Sequence, residues 1–174
     1  MRKRLSSFAA AAFVCCAALL AAGSREPAPR FHARSLDGEE FTNDSVKGKV
    51  VLVQFWTTWC PYCRKDQDAV DAVARDFGGK GLVVLAVNAG EPKKKVRQYL
   101  DQSPRVCRVV LMADTNLAAL FAANSYPVYV LIDRDGNLAG RQDGAGGEDA
   151  LRDLLSKAGL RSDEGGRDSS RAKL

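Results

Sequence analysis

The chain has 174 residues, of which 46% are hydrophobic and 27% charged, as is typical of one globular domain with tails. The formal net charge is +5, but Arg2, Lys3 and Arg4 precede an apolar segment, and without these three cations it falls to +2. No basic stripe with interleaved aromatics is present, so the composition argues against a nucleic acid partner.

The N-terminal segment resembles an export signal. After the three cations, residues 5–22 are apolar or small apart from two serines, and small residues at 21–23 favour cleavage before Ser24. Residues 1–23 are therefore predicted to be a signal peptide. The alternative is an uncleaved membrane anchor through 5–23, since the apolar run is close to the ~18 residues that span a bilayer. Both interpretations predict an extracytoplasmic protein, in the periplasm or cell envelope, secreted or membrane-anchored. Disulfides can form and persist in such a compartment.

The first part of the mature chain is rich in strand signals. Residues 24–30 contain two prolines and are predicted to be a linker, and the folded domain is predicted to span 31–160. Two short strands are expected between Phe31 and Phe41, around an Asp-Gly turn. Val50–Trp56 is a compact β-rich run, which indicates a central buried strand.

The apolar period changes after residue 60. Apolar residues between Tyr62 and Phe77 recur at helical spacings, and two glycines at 78–79 end the predicted helix. Residues 82–87 are predicted to form a second buried strand. The order strand, helix, strand predicts a βαβ unit with a parallel pair.

The remaining pattern alternates helices and strands. The predicted elements are a helix over 92–102, a strand over 106–111, a short helix over 117–123, a strand over 128–132, its antiparallel partner over 137–141 and a last helix over 148–158. The tail over 161–174 is polar and charge-mixed, which predicts disorder.

Three lysines at 93–95 begin a helix, where the dipole disfavours cations. They are interpreted as a solvated face, with docking of an acidic partner as the alternative.

The cysteines are the residues that point most directly to chemistry. Five are present, and two of them, Cys15 and Cys16, lie in the targeting segment as small hydrophobes. The odd number left in the mature domain argues against a structural disulfide framework. Cys107 is predicted to be a small core residue in a strand, with a redox-sensing or intermolecular role as the alternative.

Cys60 and Cys63 have the spacing of a redox dithiol at a helix start. Free N–H groups and the positive helix end stabilise a thiolate at Cys60, and in such motifs the cysteine pKa falls to roughly 3.5–7.5. Pro61 suits the first helical position, where a missing N–H costs little. A zinc half-site and an inert structural disulfide are the alternatives, but structural zinc needs about four ligands and only Cys107 and His32 remain.

Three segments in the expected order resemble a known superfamily. Residues 50–63, ending in Phe-Trp-Thr-Thr-Trp-Cys-Pro-Tyr-Cys, look like the active-site segment of the thioredoxin superfamily. Residues 31–49 resemble the N-terminal hairpin of its TlpA/ResA-like extracytoplasmic branch, and 125–136 resemble the cis-proline loop and the strand after it. The resemblance covers roughly 31–158. It implies a thioredoxin-like three-layer α/β fold, with a central mixed β-sheet flanked by helices and an N-terminal β-hairpin extension.

The resemblance also implies roles for individual residues. Cys60 is implied to be the nucleophile and Cys63 the resolving cysteine. Pro127 is implied to be a cis-proline beside the dithiol, and the residue before it, Tyr126, to pair its backbone with the substrate. The implied substrate-binding residues are Trp59, Pro61, Tyr62, Tyr126 and Pro127.

The sequence departs from cytosolic relatives of this superfamily in two ways. Thioredoxin carries a buried aspartate six residues before its first cysteine, whereas this chain has Gln54, which accepts no proton. TlpA/ResA-like proteins place a glutamate after the next strand, and Glu91 matches it, as a candidate for tuning or relaying protons at the dithiol. A solvated glutamate at a helix start is the alternative. The second departure is the dipeptide Pro61-Tyr62 between the cysteines. Glutaredoxins have the same dipeptide, but they lack the export signal and the hairpin.

The implied activity is a thiol–disulfide oxidoreductase that reduces disulfides in exported proteins, as in cytochrome c maturation. The implied partners are an exported thiol or disulfide protein and a membrane electron donor of the thiol–disulfide type. No cofactor is expected beyond the Cys60–Cys63 disulfide, and no metal. The alternatives are a non-catalytic thioredoxin-fold module that binds a partner or a metal, and a thiol peroxidase, whose threonine-rich motif is missing. The direction of electron flow does not follow from the dipeptide.

Overall fold

The computed structural model describes residues 25–161, so the predicted signal or anchor over 1–23 and the predicted tail beyond residue 161 lie outside it. The strands within this part are His32–Ser35 (β1), Glu40–Thr42 (β2), Val50–Trp56 (β3), Leu82–Asn88 (β4), Arg108–Thr115 (β5), Val128–Ile132 (β6) and Leu138–Asp143 (β7). The helices are Pro61–Lys65 (α1), Gln67–Gly78 (α2), Lys93–Gln102 (α3), Leu117–Leu120 (α4) and Gly147–Ser156 (α5).

All seven strands of the described residues form one mixed sheet, in the order β2-β1-β5-β4-β3-β6-β7. β3 and β4 are parallel, as are β4 and β5, which confirms the predicted βαβ unit. The β1–β2 hairpin adds to one edge through β5, and β6 and β7 add antiparallel strands to the other side. The carboxyl ends of β3 and β4 therefore meet at one edge of the sheet, where ligand-binding loops of α/β sheets collect.

The sheet separates two apolar layers because successive side chains of a strand point to opposite faces. In β3, Val50, Leu52 and Trp56 pack with α1, α2, α3 and α5. Val51, Val53 and Phe55 pack on the other face with the N-terminal hairpin and α4. The three-layer thioredoxin-like arrangement that the resemblance implied is thus confirmed, and both faces of the central strand are covered.

The predicted helix after Cys60 is in fact two helices, which meet at Asp66. Asp66 ends α1 and precedes α2, with its N–H bonded to the carbonyl groups of Tyr62 and Arg64. Its side chain accepts hydrogen bonds from Tyr129 and from the start of α5. These partners are distant in sequence, so helical periodicity gave no sign of the break.

Two later elements also differ in length from their predictions. β5 extends to Thr115 rather than ending at 111, because β1 pairs with its outer half through Ala33 and Thr115. Cys107 lies one residue before this strand rather than within it. α4 ends at Leu120 instead of 123, close to Ala122, whose φ of 45° is incompatible with a continuing right-handed helix.

The predicted linker over 24–30 lies, from residue 25 onward, against the turn between β6 and β7. The Ala28 N–H donates to the Gly136 carbonyl at 2.9 Å, and the Leu138 N–H donates to the Glu26 carbonyl at 2.8 Å. Arg25 pairs with Asp133 at 2.9 Å. Burial opposes ionisation of Asp133, but backbone N–H groups and Arg25 outweigh it and lower its pKa. This segment is therefore held to the domain. Across residues 25–161, no helix has the length and apolar character needed to cross a bilayer.

Candidate active site

The two cysteines of the dithiol motif lie at the start of α1 and are joined as a disulfide. Cys60 is the N-cap residue, Pro61 occupies the first helical position, and the Cα atoms of Cys60 and Cys63 are 5.3 Å apart. The Cys63 N–H donates to the Cys60 Sγ at 3.1 Å. A helix N-terminus thus presents a donor to this sulfur, the arrangement that stabilises a thiolate after reduction.

Exposure differs sharply between the cysteines and their neighbours. Cys60 and Cys63 are both 3% exposed, whereas Trp59 is 61% and Tyr62 65% exposed. α1 buries Cys63 alone among its residues and leaves Pro61 at the surface. The predicted substrate-binding residues next to the cysteines, Trp59, Pro61 and Tyr62, are therefore exposed around a recessed disulfide.

The loop before β6 forms the other wall of the site. The Tyr126–Pro127 peptide bond is cis, as the resemblance implied. The Tyr126 carbonyl oxygen lies 3.6 Å from the Cys60 Sγ, and the Tyr126 ring packs edge-on against Trp59 with centroids 6.3 Å apart. The structure therefore brings Trp59, Tyr126 and Pro127 together at the predicted nucleophile.

Glu91 reaches the backbone immediately before the dithiol. Its carboxylate accepts the Thr58 N–H at 2.6 Å and the Thr58 hydroxyl at 2.7 Å. The Asn88 amide donates to it at 2.8 Å, and Lys95 pairs with it at 2.8 Å. Burial by itself raises the pKa of Glu91, but these four hydrogen bonds outweigh it and lower the pKa to about 2. Glu91 is therefore an ionised anchor of the loop at neutral pH.

Asp66 anchors the other end of the dithiol segment, and the sequence interpretation missed it. It is 1% exposed and accepts the N–H groups of Gly146 and Gly147 at 3.1 and 3.0 Å. The Tyr129 hydroxyl donates to it at 3.0 Å. One signal was available, because Asp66 falls on the apolar stripe formed by Cys63, Val70, Val73 and Phe77. A carboxylate on a buried stripe needs buried donors.

Gln54 occupies a fully buried position on β3 and belongs to a chain of hydrogen bonds. Its amide N–H donates to the Tyr129 hydroxyl at 3.3 Å, and its carbonyl oxygen accepts from Arg105 at 3.3 Å. Arg105 is itself paired with Asp71 at 3.1 Å, with side chains only 1% and 8% exposed, and it lies over the Trp56 ring. Gln54 thus bridges two buried groups, and burial together with Asp66 raises the pKa of Tyr129.

Cys107 lies apart from the dithiol and has no disulfide partner. It is 8% exposed, and burial raises the pKa of its thiol to about 11 despite the nearby Arg105 cation. A thiol in this state is almost entirely protonated at neutral pH and reacts poorly. Among residues 25–161, no cluster of three or more His, Cys, Asp or Glu side chains is placed to hold a metal ion.

The comparisons with known proteins concern the same part of the chain. The family model described as AhpC/TSA family matches residues 25–141. The thiol-disulfide oxidoreductase ResA of Bacillus cereus is 27% identical over 130 residues, covering 75% of this chain and 75% of that protein. The thioredoxin-like protein YneN of Bacillus subtilis (strain 168) is 32% identical over 114 residues, covering 64% of this chain and 66% of that protein.

A solved structure shares the same architecture. The thiol:disulfide interchange protein of the thioredoxin family from Chlorobium tepidum TLS superposes with a TM-score of 0.69 at 25% identity. The alignment covers 78% of this chain and 97% of that chain. The sequence matches and the structural match therefore coincide on the domain that carries the dithiol.

Proposed function

The chain belongs to the AhpC/TSA family and is a thiol–disulfide oxidoreductase, and we propose that it reduces disulfides of exported proteins through Cys60 and Cys63. The observation that carries this proposal is the disulfide at the start of α1, recessed between exposed aromatics and facing the carbonyl before Pro127. Cys60, the N-cap residue that faces the Tyr126 carbonyl, is the proposed point of attack, and Cys63, inside α1, is the proposed resolving cysteine. The names of the relatives, which include ResA and a thiol:disulfide interchange protein, support the same chemistry.

The proposed cycle moves two electrons from the dithiol to the substrate. The Cys60 thiolate attacks one sulfur of a substrate disulfide, the substrate S–S bond breaks, and one substrate thiolate leaves. A mixed disulfide then joins Cys60 to the substrate. Cys63 gives up its proton, which ends on the first substrate thiolate, and its own thiolate attacks the Cys60 Sγ and expels the second substrate thiolate. The Cys60–Cys63 disulfide remains, and an electron donor of the thiol–disulfide type reduces it by the reverse exchange.

Glu91 is proposed to tune this cycle rather than to take up its protons. A carboxyl group whose pKa is lowered to about 2 is a weak base at neutral pH. Its bonds to the Thr58 N–H and hydroxyl instead fix the backbone two residues before Cys60. Of the two roles predicted for Glu91, tuning and proton relay, the hydrogen bonds support tuning by position and charge.

The proposed site of action is outside the cytoplasm, in the periplasm or cell envelope. The basic and apolar segment over 1–23 supports it as a signal peptide or membrane anchor. The proposed partners are an exported protein with a disulfide, for example an apocytochrome c, and a membrane electron donor. Trp59, Tyr62 and Tyr126 supply the surface that contacts the substrate polypeptide.

Replacing Cys63 with Ala tests the activity directly. In this variant nothing resolves the intermediate, so mixed disulfides through Cys60 should accumulate on exported proteins and be visible on non-reducing gels. The replacement is made together with Cys107→Ala, so that no other thiol of the mature domain remains. Cys60→Ala with Cys107→Ala is the matched control and should trap nothing. A Cys63→Ala variant that traps no protein would instead indicate a non-catalytic binding module.

The direction of electron flow is tested by the reduction potential of the Cys60–Cys63 pair. A reductant should have a potential near that of thioredoxin, about −270 mV, whereas a potential near −120 mV would indicate an oxidant and overturn the proposed direction. Peroxide consumption that depends on Cys60 is measured in parallel, since it separates this activity from a thiol peroxidase.

A further inference from the structure

The exposed charged side chains of three segments around the dithiol all have the same sign. Three segments form the site: the dithiol segment over 57–66, the β4–α3 segment over 89–95 and the cis-proline segment over 122–127, here called the front loops. The exposed charged residues of the front loops are Arg64, Lys65, Lys93, Lys94 and Lys95. Their two acidic residues, Asp66 and Glu91, are occupied by the internal hydrogen bonds described above. Within the front loops the exposed charge is therefore cationic.

The lysines of α3 are not explained by the stability of that helix. They fill its first turn, which contains no acidic residue and has no side-chain cap. Cations are unfavourable there because they face the positive end of the helix dipole. Lys95 is paired with Glu91, but Lys93 and Lys94 have no ion pair with any residue of 25–161. Two uncompensated cations at a helix start are better explained by a partner that carries the opposite charge.

The first turn of α3 is linked to the dithiol segment through Lys95 and Glu91. The Glu91 carboxylate bonds both the Lys95 ammonium at 2.8 Å and the Thr58 N–H at 2.6 Å, so one side chain separates α3 from the dithiol segment. Trp56 and Asn88 pair in register at the ends of β3 and β4, which places the following loops side by side. The first turn of α3 therefore adjoins the loop that leads into Trp59 and the dithiol.

Three exposed carboxylates adjoin the front loops: Asp68 at the start of α2, Asp149 at the start of α5, and Asp114 on β5, which lines a cavity with Glu91 and Lys93. The cis-proline segment contains no charged residue. Beyond it, the Gly144 N–H donates to the Pro127 carbonyl at 2.8 Å and brings the end of β7 near the site. The carboxylate there, Asp143, is paired with Arg141 at 2.9 Å. An acidic segment that reaches Cys60 thus meets the cations of α1 and α3, and the carboxylate at the end of β7 is paired with Arg141.

We propose that the front loops select substrate polypeptides that carry acidic residues next to their disulfide. Lys93 and Lys94 bind the acidic side chains of such a substrate. Trp59 and Tyr62 contact its backbone beside the reacting sulfur. This proposal rests on the proposed reductase function and names its substrate class. Complementary charge raises the rate of encounter, and the effect falls with ionic strength.

Two synthetic peptides test the proposal. They share one intramolecular disulfide and differ only in two flanking residues, which are Glu in one and Lys in the other. The reduced protein should reduce the acidic peptide about 10-fold faster at low salt, and the ratio should fall towards one at ~1 M salt. Equal rates for the two peptides at low salt would overturn the proposal. A neutral small disulfide is the reference, and failure to reduce it would overturn the reductase function itself.

Charge reversal locates the effect. Lys93→Glu with Lys94→Glu should abolish or invert the preference for the acidic peptide, and the substitutions favour the fold because acidic residues suit a first helical turn. Lys47→Glu with Lys49→Glu is the matched control: the same charge change on exposed lysines before β3. That strand places them roughly 20 Å from the dithiol, beyond the ~10 Å screening length at 0.1 M salt. The control should keep the ratio within about twofold; a loss as large as that of the α3 variant would contradict the assigned site.

Discussion

Glu91 and Asp66 hold the dithiol segment from its two ends, in contrasting surroundings. Glu91 bonds the backbone before Cys60, and one of its partners is Lys95, whose side chain is 53% exposed. Asp66 follows Cys63, is 1% exposed, and accepts hydrogen bonds from two backbone N–H groups and the Tyr129 hydroxyl. One carboxylate is therefore linked to a surface cation, and the other is satisfied by uncharged donors.

The contrast separates two tasks that a redox site requires. Asp66 connects the α1–α2 junction to β6 and to the start of α5, so it fixes the dithiol helix relative to the rest of the domain. Glu91 connects only neighbouring loops at the carboxyl ends of β3 and β4. We therefore expect changes at Asp66 to appear mainly in stability, and changes at Glu91 to appear in both stability and thiol chemistry.

The largest effect is expected for Asp66→Ala. The substitution leaves the N–H groups of Gly146 and Gly147 and the Tyr129 hydroxyl without their acceptor inside the protein. Hydrogen bonds to charged groups contribute roughly 1.5–3 kcal/mol each but are not additive, so the free energy of unfolding should fall by about 3 kcal/mol. Urea unfolding of the oxidised protein measures this change.

A matched variant shows whether the loss comes from the buried bonds. Asp101→Ala removes an exposed carboxylate from α3 and should change the free energy of unfolding by no more than about 0.5 kcal/mol. If Asp66→Ala were as mild as this control, Asp66 would not be the anchor that the geometry indicates, and the contrast with Glu91 would disappear.

An intermediate effect is expected for Glu91→Gln. The neutral amide keeps one acceptor but loses the charge that Lys95 and Thr58 share, so the free energy of unfolding at pH 7 should fall by about 2 kcal/mol. Loss of a negative charge near the dithiol should also lower the apparent pKa of Cys60 by a fraction of a unit. The pH profile of Cys60 alkylation in the reduced protein measures this shift. An unchanged profile, with reduced stability, would assign Glu91 a purely structural role.

The same carboxylate predicts a dependence of stability on pH. The pKa of Glu91 is lowered from 4.5 to about 2 in the folded protein, so folding favours the ionised form. Its contribution is therefore present above pH 4.5 and is lost as pH falls towards 2. The stability difference between the wild type and Glu91→Gln should shrink over this window, as urea unfolding at stepped pH would show. A constant difference from pH 7 to pH 2 would contradict the lowered pKa.

Much of this fold could be predicted from the sequence because its signals are local. The uninterrupted apolar run of Val50–Trp56 predicts a strand that is covered on both faces, and residues 50–56 form β3. The CxxC spacing predicts a disulfide at a helix start, and Pro61 fits the first helical position. The length of β5 was missed because its outer half, which includes the exposed Met112, is a strand only through its pairing with β1.

The parts of the site that the sequence did not reveal depend on distant partners. Asp66 is bonded to glycines 80 and 81 residues away, so nothing near it in sequence identifies its donors. Gln54 is bonded to Arg105 and Tyr129 in the same way. Glu91 was found only because a known superfamily places a glutamate there. Its partner Thr58 lies 33 residues away, and no residue pattern implied their bond.

The smallest effect is expected for Lys95→Met, which removes the exposed partner of the Glu91 carboxylate. Lys95 is more than half exposed, so solvent weakens its attraction for the carboxylate, and exposed pairs typically contribute about 0.2–1 kcal/mol. Methionine keeps much of the chain length and helix propensity, so the free energy of unfolding should fall by no more than about 0.5 kcal/mol. The loss should disappear in high salt, whereas that of Asp66→Ala should persist, because the partners of Asp66 are uncharged. If Lys95→Met matched Glu91→Gln in cost, the ion pair rather than the Thr58 and Asn88 bonds would hold Glu91 in place. Glu91 would then depend on a surface cation for its position, whereas Asp66 depends on uncharged donors.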